Sequence, residues 1–348
     1  MDISSLTRHV QDRDRWLWAG LGLGTVAAAG VLQAVHTRRI SHDPERDPLG
    51  TPPEGAVRIV RSADGTLLHA EVFGPEDGAT VVLAHGWTEA LQYWIYVIRA
   101  LSERGFRVVA YDQRGHGKSE AGNQDDYALE RFGEDLEAVL TDCVPRGRRA
   151  IVAGHSLGAM SIVAWAGHHD VEPHIVAAAL LNTGVADLIA EQLLFPLPQI
   201  AQALNRTVAT RGILGNKAPL PRFSTPLSSA LIRYVAFGPD ASPAQVAFYE
   251  RMLVTSPPDA RAKTGIAMSD MDLQHALPHL TVPTIVIAGA NDRLTPPSHA
   301  RRIAEMLPDL RRLTVLPDTG HMAPLERPDE VIAALIELAT LTVERVAA

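Results

Sequence analysis

Ala150-Ile151-Val152-Ala153-Gly154-His155-Ser156-Leu157-Gly158-Ala159-Met160-Ser161-Ile162-Val163-Ala164-Trp165 is the stretch that decides the fold of this 348-residue chain. The apolar run 150–153 is short enough for a buried strand, and the run from Ala159 onward suits a helix, so Ser156 stands on a strand-to-helix corner. Such a corner holds its central residue in a sparsely populated backbone conformation. Glycines two positions before and two after let the chain pass close to itself there. The serine hydroxyl is then presented as a nucleophile rather than as a turn former.

A serine hydroxyl is a weak nucleophile at neutral pH and needs a base, a group that orients the base, and donors for the developing oxyanion. His321 is the candidate base, in the loop segment Asp318-Thr319-Gly320-His321 after the strand-like run Leu313 to Leu316. Asp292 is the candidate orienting carboxylate, in Gly289-Ala290-Asn291-Asp292 after the buried-strand run Thr284 to Ala288. Asp318, Asp270 and Asp272 are its rivals for that role, and Asp292 is favoured because it follows a strand end in a G-x-x-D-x-x-x-P arrangement. The backbone N–H of Leu157, directly after the serine, and that of Trp87, in the loop His85-Gly86-Trp87-Thr88 after the run Thr80 to Ala84, are the candidate oxyanion donors.

Four motifs in this order resemble the α/β-hydrolase superfamily over roughly residues 55 to 345. A further motif, Tyr111-Asp112-Gln113-Arg114-Gly115-His116-Gly117-Lys118-Ser119, resembles the signature after strand four in the branch of capped esterases, C–C hydrolases and perhydrolases. The resemblance implies that this motif shapes a loop beside the active site without taking part in catalysis. Related epoxide hydrolases and haloalkane dehalogenases carry aspartate at the nucleophile position, so Ser156 argues against both chemistries. It also implies a Ser156–Asp292–His321 triad that needs no cofactor and no metal, acting on a small-molecule ester. C–C hydrolysis, thioester cleavage and cofactor-free perhydrolysis use the same triad and stay open, as does a catalytically silent, membrane-tethered binding protein.

The rest of the chain is organised around that expectation. Strand-like runs at 57–60, 67–73, 80–84, 107–111, 150–153, 176–181, 284–288 and 313–316 alternate in the later part with helical stretches. This pattern predicts an α/β fold with a mostly parallel eight-stranded sheet flanked by helices and an antiparallel start. The core divides into 56–182 and 282–348. Between them, 183–281 is too long for a plain crossover and is expected to form a helical cap. Ser242-Pro243-Ala244-Gln245 reads as a helix start within it, while Leu193 to Pro198 and Ile232 to Phe237 are apolar enough to line an acyl pocket or to pack on the core.

Residues 1–40 hold an amino-terminal tail and an apolar run. From Trp16 to Val35 no residue is charged, about the length of a membrane-spanning helix, and a single anchor is expected there. The rivals are a cleaved signal peptide, which would make the protein secreted, and a helix packed on the domain surface. Arginines are balanced on the two flanks, so the side of the membrane is not readable. Residues 41–55, rich in proline, read as an extended linker.

A net charge of −8 supplies no basic surface for a phosphate backbone, which argues against a nucleic-acid partner. The single cysteine, Cys143, excludes an intrachain disulfide. His168-His169-Asp170 lacks a third ligand at metal-binding spacing, and His155 inside the corner is expected to pack or hydrogen-bond locally.

Overall fold

A computed structural model describes residues 28–122, 126–188 and 214–347. All eight expected strands form: β1 (Ala56–Arg61), β2 (Leu67–Phe73), β3 (Thr80–Ala84), β4 (Arg107–Tyr111), β5 (Ala150–His155), β6 (Ile175–Leu181), β7 (Thr284–Gly289) and β8 (Leu310–Leu316). They make one sheet in the order β1-β2-β4-β3-β5-β6-β7-β8. β1 pairs antiparallel with β2, and β2 antiparallel with β4. Every later pairing is parallel.

The central strands β3, β5 and β7 are buried along their whole length, as expected for strands covered on both faces. Because side chains alternate between faces, each strand feeds two cores. Val82, Val152 and Val286 join Phe132, Ile162 and Trp165 on one side, whereas Val81, Ile151 and Ile285 join Ile98, Leu101 and Leu335 on the other.

The helices, in chain order, are α1 (described over 28–41), α2 (Arg46–Gly50), α3 (Ile95–Glu103), α4 (Leu129–Cys143), α5 (Leu157–Ala166), α6 (Pro226–Ala236), α7 (Pro243–Thr255), α8 (Pro258–Ser269), α9 (Pro297–Met306), α10 (Ala323–Glu326) and α11 (Pro328–Ala347). Every residue of α5 is buried, which accounts for its apolar character on all sides. The segment 183–281 holds α6, α7, α8 and a short 3-10 helix, Gln274–His279, among its described residues. α7 starts where the sequence predicts: Ser242 Oγ accepts from Gln245 N, Gln245 Oε1 accepts from Ser242 N, and Pro243 occupies the first turn. Of the two apolar stretches expected to line a pocket or pack, Leu193 to Pro198 lies outside the described residues. In the other, Ala236 and Phe237 are buried in the core.

Two expectations about the amino-terminal part change. Among the described residues no helix is long and apolar enough to cross a membrane. Positions 16–27 of the expected 16–35 span lie outside the described residues, and 28–35 belong to α1. The segment 41–55 is also not an extended linker throughout, because α2 forms inside it and the chain is docked. Tyr96 Oη donates to Glu45, Arg99 Nη2 donates to the carbonyls of Pro48 and Thr51 at 2.9 and 2.7 Å, and Ala244 N donates to Asp43 Oδ2 at 3.1 Å. Prolines stop regular structure locally, but these side-chain bonds to the core give the segment a defined path.

Candidate active site

Ser156 follows β5 and precedes α5 with φ 49° and ψ −113°, a region that side chains with a Cβ rarely enter. The strain is held by the surroundings: Ser156 N donates to Leu181 O at 2.9 Å, and Thr183 Oγ1 donates to Ser156 O at 2.9 Å. The close approach predicted for the flanking glycines is steric at Gly158. A Cβ there would lie 2.1 Å from the carbonyl oxygen of Ala84 at the end of β3. The turn can therefore nest against β3 only with glycine at this position.

β3, β5, β7 and β8 deliver their following loops to the same end of the sheet. The order changes direction at β3, whose neighbours are β4 and β5, and such a switch point is where open α/β sheets place their ligand crevice. Asp292, after β7, meets His321, after β8: His321 Nδ1 donates to Asp292 Oδ2 at 2.8 Å. That bond leaves Nε2 as the free base position. Of the rival carboxylates, Asp270 and Asp272 bond instead to near neighbours, Ser269 and Gln274.

Asp292 is completely buried but generously bonded. Leu294 N and Thr295 N each donate to Oδ1 at 2.9 Å, while Thr295 Oγ1 and Asn182 Nδ2 donate to Oδ2 at 2.9 and 3.1 Å. Burial pushes its carboxyl up, yet the His321 charge and these donors outweigh burial and hold it below the usual carboxylate range. For His321, burial works against the charged ring, and the Asp292 carboxylate, with further negative charge from Glu89 and Glu326, lifts its pKa above the ordinary histidine value of 6.5.

Leu157 opens α5, where the first N–H groups have no acceptor inside the helix. Trp87 sits in a loop pinned from several sides. Its indole Nε1 donates to Arg261 O of α8 at 2.9 Å, and Thr88, at φ 63°, lies with its hydroxyl 3.1 Å from Tyr249 Oη of α7. The inserted helices thus touch the loop that carries the candidate oxyanion donor.

The motif after β4 acts as a loop brace. Asp112 accepts from Leu91 N at 2.7 Å and Lys118 N at 2.8 Å, and Arg114 makes a bidentate pair with Asp135 of α4 at 2.7 Å for both bonds. His169 bonds to Trp165 O and stacks on the Trp165 ring.

Sequence reasoning missed four residues that hold the site: Asn182, Thr295, Glu89 and Glu326. Glu326 accepts from Gly238 N, Gly320 N and Met322 N, and so ties the His321 loop to the end of α6. Its place five positions after His321 and the three-residue gap from Gly86 to Glu89 were available signals.

The chain resembles known proteins in sequence and in fold. The chain is 30% identical over 256 residues to a putative carbamate hydrolase, RutD, of Variovorax paradoxus (strain S110), covering 73% of this chain and 89% of the relative. Its fold superposes on a thermophilic esterase from Thermogutta terrifontis with TM-score 0.65 and 23% identity, over 82% of this chain and 99% of the esterase. A membrane phospholipase A aligns with TM-score 0.64 and 22% identity, over 94% of this chain and 99% of its own. Residues 79–328 match the alpha/beta hydrolase fold family, and this span runs from the start of β3 through every loop of the site. Sheet order, strained serine corner and sequence match agree, and the chain belongs to the alpha/beta hydrolase family.

Proposed function

We propose that this protein is a serine hydrolase that cleaves carboxylic esters, lipophilic ones in particular, at a membrane surface. Ser156 Oγ attacks the ester carbonyl as His321 Nε2 takes its proton. Asp292 keeps the Nδ1–H tautomer and stabilises the imidazolium, and the N–H groups of Leu157 and Trp87 receive the negative oxygen. Collapse of the tetrahedral intermediate returns the proton to the leaving alcohol and leaves an acyl group on Ser156. Water, deprotonated by His321, repeats the sequence and releases the acid. The reading calls for no cofactor and no metal.

The observation that carries it is the buried 2.8 Å bond between His321 Nδ1 and Asp292, on the loops after β7 and β8, at the same end of the sheet as the strained serine corner after β5. The fold shared with an esterase and with a membrane phospholipase A supports an ester as the substrate class. Exposed apolar side chains support a lipid-facing surface. Leu227, Leu231 and Tyr234 lie on one face of α6 and are 80%, 61% and 49% exposed. α1 is docked beside them through Gln33 and His36, both bonded to Ser224.

The test is hydrolysis of p-nitrophenyl esters from short to long acyl chains by wild type and Ser156→Ala, with detergent present. Serine-dependent turnover that rises with acyl length is expected. A folded wild type that cleaves no ester, yet is labelled at Ser156 by a fluorophosphonate, would replace ester cleavage with C–C or thioester chemistry.

A further inference from the structure

His155 precedes the nucleophile and makes buried polar contacts of its own, with its ring centroid 4.9 Å from that of His321. Its Nε2 lies 2.8 Å from the carbonyl oxygen of His321. A carbonyl only accepts, so Nε2 carries a proton. Its Nδ1 lies 3.0 and 3.1 Å from the two oxygens of Glu89, and both side chains are almost fully buried. Between Glu89 and Nδ1 there is one proton, whether the pair is imidazolium with carboxylate or neutral ring with carboxyl. The second function of Glu89 is to accept from Gly86 N at 2.5 Å, in the loop that carries Trp87.

Three parts of the site therefore meet in one proton-sharing pair. Glu89 holds the oxyanion loop, His155 belongs to the strand that ends in Ser156, and its Nε2–H holds the backbone of His321. Tyr93 packs against the His155 ring at a tilt of 32° with centroids 4.6 Å apart, which leaves it little freedom to rotate. Space is closed from the loop side too: a Cβ at Gly86 would fall 2.8 Å from His155 Nδ1 and 2.9 Å from Glu89.

We propose that Glu89 and His155 are positioning residues, a buried acid–histidine clamp that sets the distance between the oxyanion loop and the His321 loop. The inference rests on the serine hydrolase reading for its kinetic consequence, but the clamp itself is a statement about His155. The groups charged or titratable around His321 are Asp292 after β7, Glu326 in α10, Glu89 after β3 and His155 in β5.

The experiment compares wild type, Glu89→Gln, His155→Asn and the double variant on a p-nitrophenyl ester. In parallel, 15N ring spectra of the histidines are recorded across pH. Glu89→Gln should lower kcat by about ten- to a hundred-fold, the scale of a small misplacement of reacting groups, with KM within about two-fold. The double variant should be no worse than the poorer single, as expected of residues acting as one unit. In the wild-type spectra His155 should show a protonated Nε2 and a downfield proton shared at Nδ1. A kcat within two-fold of wild type in both single variants, or a His155 whose Nε2 carries no proton, overturns the clamp. Wild-type protein with neither ester turnover nor fluorophosphonate labelling would sink the serine hydrolase reading instead. The spectra would then decide the clamp alone: a His155 Nε2 that carries a proton supports it, and one that carries none overturns it. The wild-type ring spectra also serve if Glu89→Gln does not fold.

Discussion

At the scale of single residues, the pair His321–Asp292 sets how the rate should depend on pH. The neutral ring is the active base, and the Asp292 carboxylate raises the pKa of His321 despite burial. The acid limb of kcat/KM should therefore lie above pH 6.5, and Asp292→Asn should move it down while cutting kcat by about 10⁴-fold. A limb below 6.5 in the wild type would contradict the assignment of base and orienter. The same raised pKa links to stability: its contribution is full below the unfolded value of 6.5 and fades as pH rises through the folded value. Ser156→Ala should abolish turnover by about 10⁶-fold with an unchanged thermal midpoint or a higher one, because alanine removes the reacting oxygen but no packing atom. A retained rate in that variant would mean another nucleophile.

Elements constrain each other through contacts that side-chain chemistry alone does not reveal. Gly158 lets α5 start against the end of β3, and Gly158→Ala would press a methyl group onto Ala84 O. It should destabilise the fold by about 3 kcal/mol or more, measured by denaturant unfolding, and lower activity further through the displaced corner. The brace after β4 behaves differently. Arg114 and Asp135 are buried and bidentate, so Asp135→Ala strands a buried guanidinium and should cost about 3 to 5 kcal/mol. A loss under 1 kcal/mol would show that Asp64, 3.0 Å from Arg114 Nη1, suffices as its partner.

At the scale of the whole molecule, the docked segment around α2 separates the amino-terminal run from the catalytic fold. Removing residues 1–27 should leave the thermal midpoint and the rate on a short soluble ester within about two-fold, because α1 and α2 keep their contacts to Ser224, Tyr96 and Arg99. The truncated protein should lose its sedimentation with membranes; co-sedimentation of both forms would place the membrane contact elsewhere, with the α6 face as the next surface to alter. Read locally, the chain already marks the eight strands, the serine corner, the start of α7, and Ser156, Asp292 and His321 as candidates. Each of these is written in short-range pattern: buried runs of strand length, turn glycines, a capping pair three residues apart. Which polar groups complete the site depends on how the fold brings distant segments together. Glu89 and His155 are 66 positions apart and Asn182 and Asp292 are 110 apart, so no local pattern joins them. Burial does, since a charged or hydrogen-bonding group taken from water must find a partner wherever the fold brings one. The same requirement docks 41–55, whose prolines read locally as an extended chain but whose carbonyls and carboxylates are bonded by Arg99, Tyr96 and Ala244.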